Sequence, residues 1–152
     1  MLDLKYEFLY ELHGDLEEPI DVGFTPHGVR RIFNVKGGTI DGPKISGKVL
    51  PAGADWVIIR PDKAAELDVR AIFQTDENEI IYTYYRGILN ATSEVYDKIK
   101  KGEDVDPSEY YFRTAPVFET SSEKYGWLNR IVAVGVGKLA KNMVKYKVYM
   151  IL

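Results

Sequence analysis

Two consecutive hairpins in the middle of the chain carry side chains that could perform acid–base chemistry. If Asp62–Lys63 is a two-residue loop, Asp55 lies opposite Arg70 on the paired strand. If Glu77–Asn78 is a second loop of this kind, Arg70 also lies opposite Tyr85. These registers predict one polar sheet face that consists of Asp55, Asp68, Arg70, Thr83 and Tyr85.

This polar face has two interpretations. In an antiparallel sheet, a charged face is usually the solvated exterior. If it instead lines a cavity, Asp55 and Asp68 must pair with Arg70 because isolated buried charges are costly. Such a cluster could position a polar group of a ligand, or act as an acid and a base if burial shifts its pKa values. The sequence leaves both interpretations open.

A second group of candidate residues lies in the C-terminal half. Strand alternation over residues 125–131 predicts that Trp127 and Asn129 share a face with Tyr125. Asn129 is then either a core amide that bonds to backbone or a pocket amide that orients a ligand between aromatic walls. The side chains Arg113 and Glu119 have the same parity and therefore lie on the same side of their strand, as candidates or as a surface pair.

The composition excludes several classes of chemistry. Of 152 residues none is Cys and two are His, which argues against disulfides, thiol nucleophiles and metal sites, and no motif indicates a cofactor. The 20 Lys and Arg are scattered among 23 Asp and Glu, so we expect no nucleic-acid partner. No apolar run is long enough for a membrane span, and the first residues alternate instead of forming a signal peptide. We therefore expect a cytoplasmic protein.

The elements that must position these side chains are mostly strands. Apolar residues alternate with polar ones at both ends of the chain, a period of two that is typical of strands. One short helix is predicted after Thr92 or Ser93 and ends near Gly102, and Asp106-Pro107-Ser108-Glu109 predicts one further helical turn. The predicted strands are 2–13, 29–36, 44–50, 54–60, 65–75, 79–89, 110–120, 125–137 and 143–152.

This pattern predicts an all-β, single-domain antiparallel barrel of about nine strands over residues 1–152. Closure would remove the sheet edges, and pairing of the first and last strands is one way to close it. An open sandwich is the alternative.

The sequence also resembles domain-of-unknown-function family 3237. The resemblance rests on Gly42-Pro43-Lys44-Ile45-Ser46-Gly47-Lys48-Val49-Leu50-Pro51, on Gly53-Ala54-Asp55-Trp56, on Asp106-Pro107-Ser108-Glu109-Tyr110-Tyr111-Phe112-Arg113, on Phe118-Glu119-Thr120 and on Trp127-Leu128-Asn129-Arg130. It spans nearly the whole chain and implies a small calycin-like (lipocalin-like) β-barrel. It implies no established reaction. Its motifs contain residues that are already candidates, namely Asp55, Trp56, Arg113, Glu119, Trp127 and Asn129.

The leading functional hypothesis is a barrel that binds a small, partly apolar molecule in its cavity. The first alternative is a cofactor-free isomerase, cyclase or lyase in the same cavity, with Asp55 or Asp68 as the base and Arg70 stabilising an oxyanion. The second alternative is a structural homo-oligomer without catalysis. The sequence assigns no catalytic residue, and the candidate ligand-binding residues are Asp55, Trp56, Asp68, Arg70, Tyr85, Arg113, Glu119, Trp127 and Asn129.

Overall fold

A computed structural model describes residues 2–152 and contains nine antiparallel strands in one sheet. The long runs of alternating apolar residues form the strands, since each run gathers its apolar side chains on one face. The strands are β1 (Tyr6–Leu16), β2 (Ile20–Thr25), β3 (Gly28–Asp41), β4 (Ser46–Ile59), β5 (Ala65–Thr75), β6 (Ile80–Asn90), β7 (Tyr111–Glu119), β8 (Val132–Ala140) and β9 (Met143–Ile151).

Eight of these strands close into a barrel, which confirms the predicted fold class. The neighbours run in the order β1-β9-β8-β7-β6-β5-β4-β3, and β1 pairs with both β9 and β3. The predicted pairing of the first and last strands is therefore part of the closure. Strand β2 is the ninth strand and lies outside the closed ring, where it pairs with β3.

The helical segments follow their predicted caps. Helix α1 spans Ser93–Lys100, and the Thr92 side chain accepts a hydrogen bond from the backbone N–H of Val95 at 3.2 Å. Val95 and Ile99 on its inner face are buried in the core. Asp106 likewise caps the predicted helical turn, a 3₁₀ helix over Pro107–Glu109.

The strand predictions were wrong in four places. The predicted strand 29–36 continues to Asp41 as part of β3. The predicted strands 44–50 and 54–60 are one bent strand, β4, in which three residues (50–52) stand opposite Ile72 alone. Strand β2 was missed. The segment Gly126–Arg130 is a 3₁₀ helix instead of a strand, so the predicted alternation of Trp127 and Asn129 does not occur.

Both hairpin registers differ from the prediction by one residue. Each connection is a three-residue loop, which ends in Lys63 (φ 72°) in the first hairpin and in Asn78 (φ 66°) in the second. The longer loops place Asp55 opposite Val69 and Arg70 opposite Tyr84. A shift of one residue moves a side chain to the other face of the sheet, so Arg70 does not share a face with Asp55 or Tyr85.

Large side chains fill most of the barrel interior. Phe73 and Ile81 are fully buried, and Tyr10 packs edge-to-face on Phe73 with ring centroids 5.6 Å apart. Tyr146 packs in the same way on Phe112, at 5.3 Å. The space that remains lies beside Tyr146, and it forms the site described next.

Candidate functional site

A small recess inside the barrel, called here the inner recess, brings one carboxyl and two phenol groups together between apolar walls. Its volume is about 30 Å³, which is room for one or two water-sized groups. The lining residues come from β1, β3, β4, β5, β6 and β9 and are Leu12, Gly14, Leu16, Val35, Val49, Asp55, Val69, Ala71, Tyr85, Val144 and Tyr146.

The bend in β4 determines where Asp55 lies. Gly53 has φ +89°, and a Cβ atom at this position would be 2.0 Å from the carbonyl oxygen of Arg70. Only glycine fits so close to the neighbouring strand in this conformation. After the bend, Asp55 pairs with Val69, and Val69 pairs with Tyr85, so these three side chains point to the same side of the sheet.

The Asp55 carboxylate also has a structural contact. Its Oδ1 atom accepts a hydrogen bond from the backbone N–H of Asp68 at 3.1 Å. This contact lies where the β4–β5 pairing is interrupted, between Asp55↔Val69 and Ile58↔Glu66. The carboxylate therefore supplies an acceptor for a backbone donor that the ladder leaves free.

Burial brings the pKa of the Asp55 carboxyl group close to neutral pH. Asp55 as a residue is partly exposed, and it lines the inner recess. Burial raises the pKa of Asp55 from 3.8 to about 7; the hydrogen bond from Asp68 N–H partly opposes this rise, and the Asp68 charge adds to it. At neutral pH this group can therefore either release or accept a proton.

Two tyrosines stand beside this carboxyl group. The rings of Tyr85 and Tyr146 pack edge-to-face with centroids 5.6 Å apart. Burial raises the pKa of both hydroxyl groups, and the negative charge of Asp55 contributes to the rise. Both tyrosines are therefore neutral phenols at physiological pH and can donate hydrogen bonds.

Comparison with known proteins decides the family. The chain matches the family described as "Protein of unknown function (DUF3237)" over residues 4–151. It belongs to this family. The curated relatives it resembles carry the name UPF0311, and the UPF0311 protein of Rhodopseudomonas palustris is 42% identical over 135 residues, or 88% of this chain and 86% of the relative.

Several solved structures are similar to this chain in fold. The crystal structure of a conserved protein of unknown function from Rhodopseudomonas palustris has a TM-score of 0.92, with 36% identity over 100% of both chains. A β-barrel-like protein from Acinetobacter baumannii AYE has a TM-score of 0.86, with 36% identity over 99% of this chain and 97% of that chain. An enzyme from Penicillium herquei, 22% identical, has a TM-score of 0.73 over 98% and 95% of the two chains, a likeness of fold alone.

In this DUF3237 protein, the structure separates the polar residues that the hairpin registers had grouped. Asp55 and Tyr85 lie together in the inner recess. Arg70 is exposed on the outside of the barrel, where its guanidinium lies 5.8 Å from the Trp56 ring and 5.2 Å from the Tyr84 ring. Asp68 is on the outside as well, so the predicted cluster of Asp55, Asp68 and Arg70 was wrong.

The second predicted group does not form one site. The Asn129 side chain forms two hydrogen bonds with the backbone of Thr120. Its amide oxygen accepts from the Thr120 N–H at 2.8 Å, and its amide nitrogen donates to the Thr120 carbonyl at 2.9 Å. This geometry matches the interpretation of an amide bonded to backbone. Trp127 lies beside Lys44, with the ammonium 5.8 Å from its ring.

Arg113 and Glu119 lie outside the inner recess too. The Arg113 guanidinium donates to the Phe112 carbonyl at 2.9 Å and lies 5.1 Å from the Tyr111 ring. Glu119 is exposed at the end of β7. The two residues do not form an ion pair within residues 2–152.

Tyr146 is the site residue that the sequence reasoning missed. Its signal was present, because Tyr146 belongs to the alternating C-terminal strand that was expected to pair with the first strand. That pairing places it opposite Leu12, another lining residue of the inner recess. No helix among the described residues has the length and apolar character to cross a membrane, and no three His, Asp or Glu side chains of residues 2–152 converge as metal ligands.

Proposed function

We propose that this protein binds a small, partly apolar and uncharged molecule whose oxygen-bearing group enters the inner recess. One observation carries the proposal: a carboxyl group with a pKa of about 7 lies beside two neutral tyrosines between apolar walls. A half-protonated carboxyl can donate a hydrogen bond to a ligand carbonyl or accept one from a ligand hydroxyl. Convergent polar groups in an apolar concave surface are typical of ligand sites.

The volume of the recess limits which part of the ligand it can hold. Pockets for drug-sized ligands are about 300–1,000 Å³, and the inner recess is about 30 Å³. It therefore accepts a single functional group. The remainder of the ligand lies on the partly exposed side chains of Leu16, Val35 and Val144, which form apolar walls of the recess.

The walls favour an uncharged ligand. The recess is lined by no Lys or Arg side chain among residues 2–152, and Arg70 is on the outer surface. An anion in the recess would lie beside Asp55 without a compensating charge, which is costly in an apolar environment.

A matched set of probes tests the binding proposal. Cyclopentanone and cyclopentanol present a carbonyl and a hydroxyl on one apolar ring, and cyclopentanecarboxylate presents an anion on the same ring. At pH 8 the NMR signals of the Tyr85 and Tyr146 rings are expected to shift saturably with the first two probes and not with the carboxylate. Asp55→Ala removes the carboxylate that accepts from the cyclopentanol hydroxyl, so it is expected to weaken cyclopentanol binding, and Asp97→Ala on the exposed face of α1 serves as the control. Unchanged ring signals with both neutral probes would contradict the proposal.

Acid–base catalysis is a second candidate function, and the neutral pKa of Asp55 favours it. The ionised carboxylate would remove a proton from the carbon next to a ligand carbonyl. Tyr85 and Tyr146 would donate hydrogen bonds to the resulting enolate oxygen, the role that sequence reasoning had given to Arg70. Returning the proton to a different atom would complete an isomerisation, and loss of a leaving group would complete a lyase reaction, both without a cofactor.

Deuterium exchange distinguishes catalysis from binding. In D₂O, wild-type protein is expected to accelerate exchange of the hydrogens next to the carbonyl of cyclopentanone, as measured by proton NMR. Asp55→Asn is expected to remove the acceleration, because an amide cannot accept the proton. If cyclopentanone binds saturably but its hydrogen exchange is not accelerated, the proposed binding function is retained and this catalysis is excluded.

A further inference from the structure

A second, larger recess lies on the outside of the barrel wall. This outer recess has a volume of about 320 Å³, within the range of small-molecule sites. Its lining contrasts with that of the inner recess, because charged side chains of both signs face it. The residues that define it here are His27, Arg30, Trp56, Glu66, Asp68 and Arg86.

One buried carboxylate oxygen in the outer recess has no donor. The Oδ1 atom of Asp68 is inaccessible to solvent and has no hydrogen-bond partner among residues 2–152. Arg86 lies directly opposite Asp68 in the β5–β6 ladder, yet the two side chains form no ion pair. An unpaired buried acceptor is costly. The Asp68 side chain is partly exposed, so a ligand ammonium that meets the carboxylate from the recess would supply the compensating positive charge.

Among the described residues of the outer recess, neither arginine pairs with this carboxylate. Arg30 donates through Nη1 to the carbonyl oxygen of Trp56 at 2.9 Å, which leaves its other N–H groups for further contacts. The Arg86 side chain is exposed. Glu66 interacts with Arg60 across 3.5 Å, so its charge is partly compensated outside the recess.

We infer that the outer recess binds a small zwitterion, with the ligand ammonium on Asp68 and the ligand carboxylate on Arg30 and Arg86. A simple anion would meet the Asp68 carboxylate, and a simple cation would meet two guanidinium groups. A molecule with both charges satisfies both sides of the recess. Arginine suits the carboxylate end, because its planar guanidinium can bind both oxygens. The indole of Trp56 lines the same recess.

An NMR titration tests this inference and contains its own reference signal. The protein has two tryptophans, of which Trp56 lines the outer recess and Trp127 lies beside Lys44 elsewhere. Glycine, β-alanine and 4-aminobutyrate are the probes, and acetate and methylamine represent their separate halves. At least one amino acid is expected to shift the indole N–H signal of Trp56 saturably and to leave that of Trp127 unchanged, whereas each half-probe alone does not saturate it.

Charge-removing variants complete the test. Asp68→Asn and Arg86→Gln are each expected to weaken amino-acid binding about tenfold or more, the usual effect of losing a charge-assisted hydrogen bond. Asp97→Asn and Arg130→Gln remove the same charges from exposed positions and are expected to leave binding unchanged. The inference would be overturned if acetate alone saturated the Trp56 signal with the same affinity as the amino acids. It would also be overturned if no amino acid saturated that signal at tens of millimolar.

Discussion

The inner and outer recesses lie on the two faces of one sheet and differ in volume and in the charge of their lining residues. The inner recess is small and apolar, and it surrounds Asp55 so closely that burial raises its pKa to about 7. The outer recess is about ten times larger and is lined by charges of both signs. One hydrogen bond, from the Asp68 backbone to the Asp55 carboxylate, connects them. Asp55 and Asp68 are both aspartates on paired strands, but they lie on opposite faces of the sheet and therefore have different surroundings.

The largest expected effect comes from the bend that places Asp55 in the inner recess. Gly53→Ala forces a Cβ atom to within 2.0 Å of the Arg70 carbonyl oxygen, so the backbone must move. We expect a loss of about 4 kcal/mol in the free energy of unfolding, measured by urea denaturation.

Gly23→Ala is the matched control for this variant. Gly23 has nearly the same φ, +92°, but nothing lies within 4 Å of its added Cβ atom. It is therefore expected to lose only the conformational contribution, about 1 kcal/mol. Equal losses in the two variants would show that close approach of β4 to β5 does not hold Asp55 in place.

The next effect is a pH dependence of stability that belongs to the inner recess. Because the folded protein raises the pKa of Asp55 from 3.8 to about 7, the folded state binds more protons than the unfolded state between these values. Its free energy of unfolding therefore falls as the pH rises from about 4 to about 7, by about 3 kcal/mol from this group. Denaturation of wild type and Asp55→Asn at pH 5 and pH 8 measures it.

The variant should differ from wild type in that experiment. Asp55→Asn is expected to gain stability relative to wild type as the pH rises, because it lacks the buried carboxyl group that titrates in this range. If Asp55→Asn keeps the wild-type pH dependence, the inner recess does not bury a titrating carboxyl group.

The smallest effect links the two recesses. The charge of Asp68 is one of the causes of the raised pKa of Asp55 and the least of them, so removing it by Asp68→Asn is expected to lower the pKa of Asp55 slightly. The exposed control Asp97→Asn is expected to leave it unchanged. A rise of the Asp55 pKa in Asp68→Asn would mean that the two carboxyl groups are not coupled as the structure indicates.

Much of the fold could be predicted because it is encoded in local patterns. The alternation of apolar and polar residues predicted the first and last strands. The capping residues Thr92 and Asp106 predicted where the two helical segments begin. Strand β2 was missed, since its six residues include Gly23 at an irregularity in the pairing and its apolar side chains are exposed. Such a strand has no buried face to produce a clear signal.

The site was predicted only in part, and the reason is geometric. Asp55 and Tyr85 were correctly grouped, but loops of three residues instead of two moved Asp68 and Arg70 to the other face. Lys63 gives little indication that it takes a positive φ, whereas Asn78 belongs to a residue type that does so more often. Neither residue specifies whether its loop has two or three residues. Tyr146 joins the site through barrel closure. The pairing of the first and last strands was predicted, but its register, which places Tyr146 opposite Leu12, was not.

Association of this chain into a homo-oligomer is a separate proposal that does not involve the two recesses. Tyr6, Val132 and Leu152 are exposed near the β1–β9–β8 side of the barrel, and a homo-oligomer could cover them. Light scattering at increasing protein concentration is expected to show association. A constant monomeric mass would contradict it and would leave the account of the recesses unchanged.

Direct titration of the Asp55 carboxyl group tests the central claim. Carbon-13 NMR of the aspartate side-chain carboxyl signals, assigned with Asp55→Asn, follows the protonation of each group with pH. We expect the Asp55 signal to titrate with a pKa of about 7, because burial in the inner recess disfavours its charge. A titration near 3.8 would show a solvated carboxylate and would contradict the assignment of the inner recess as the functional site.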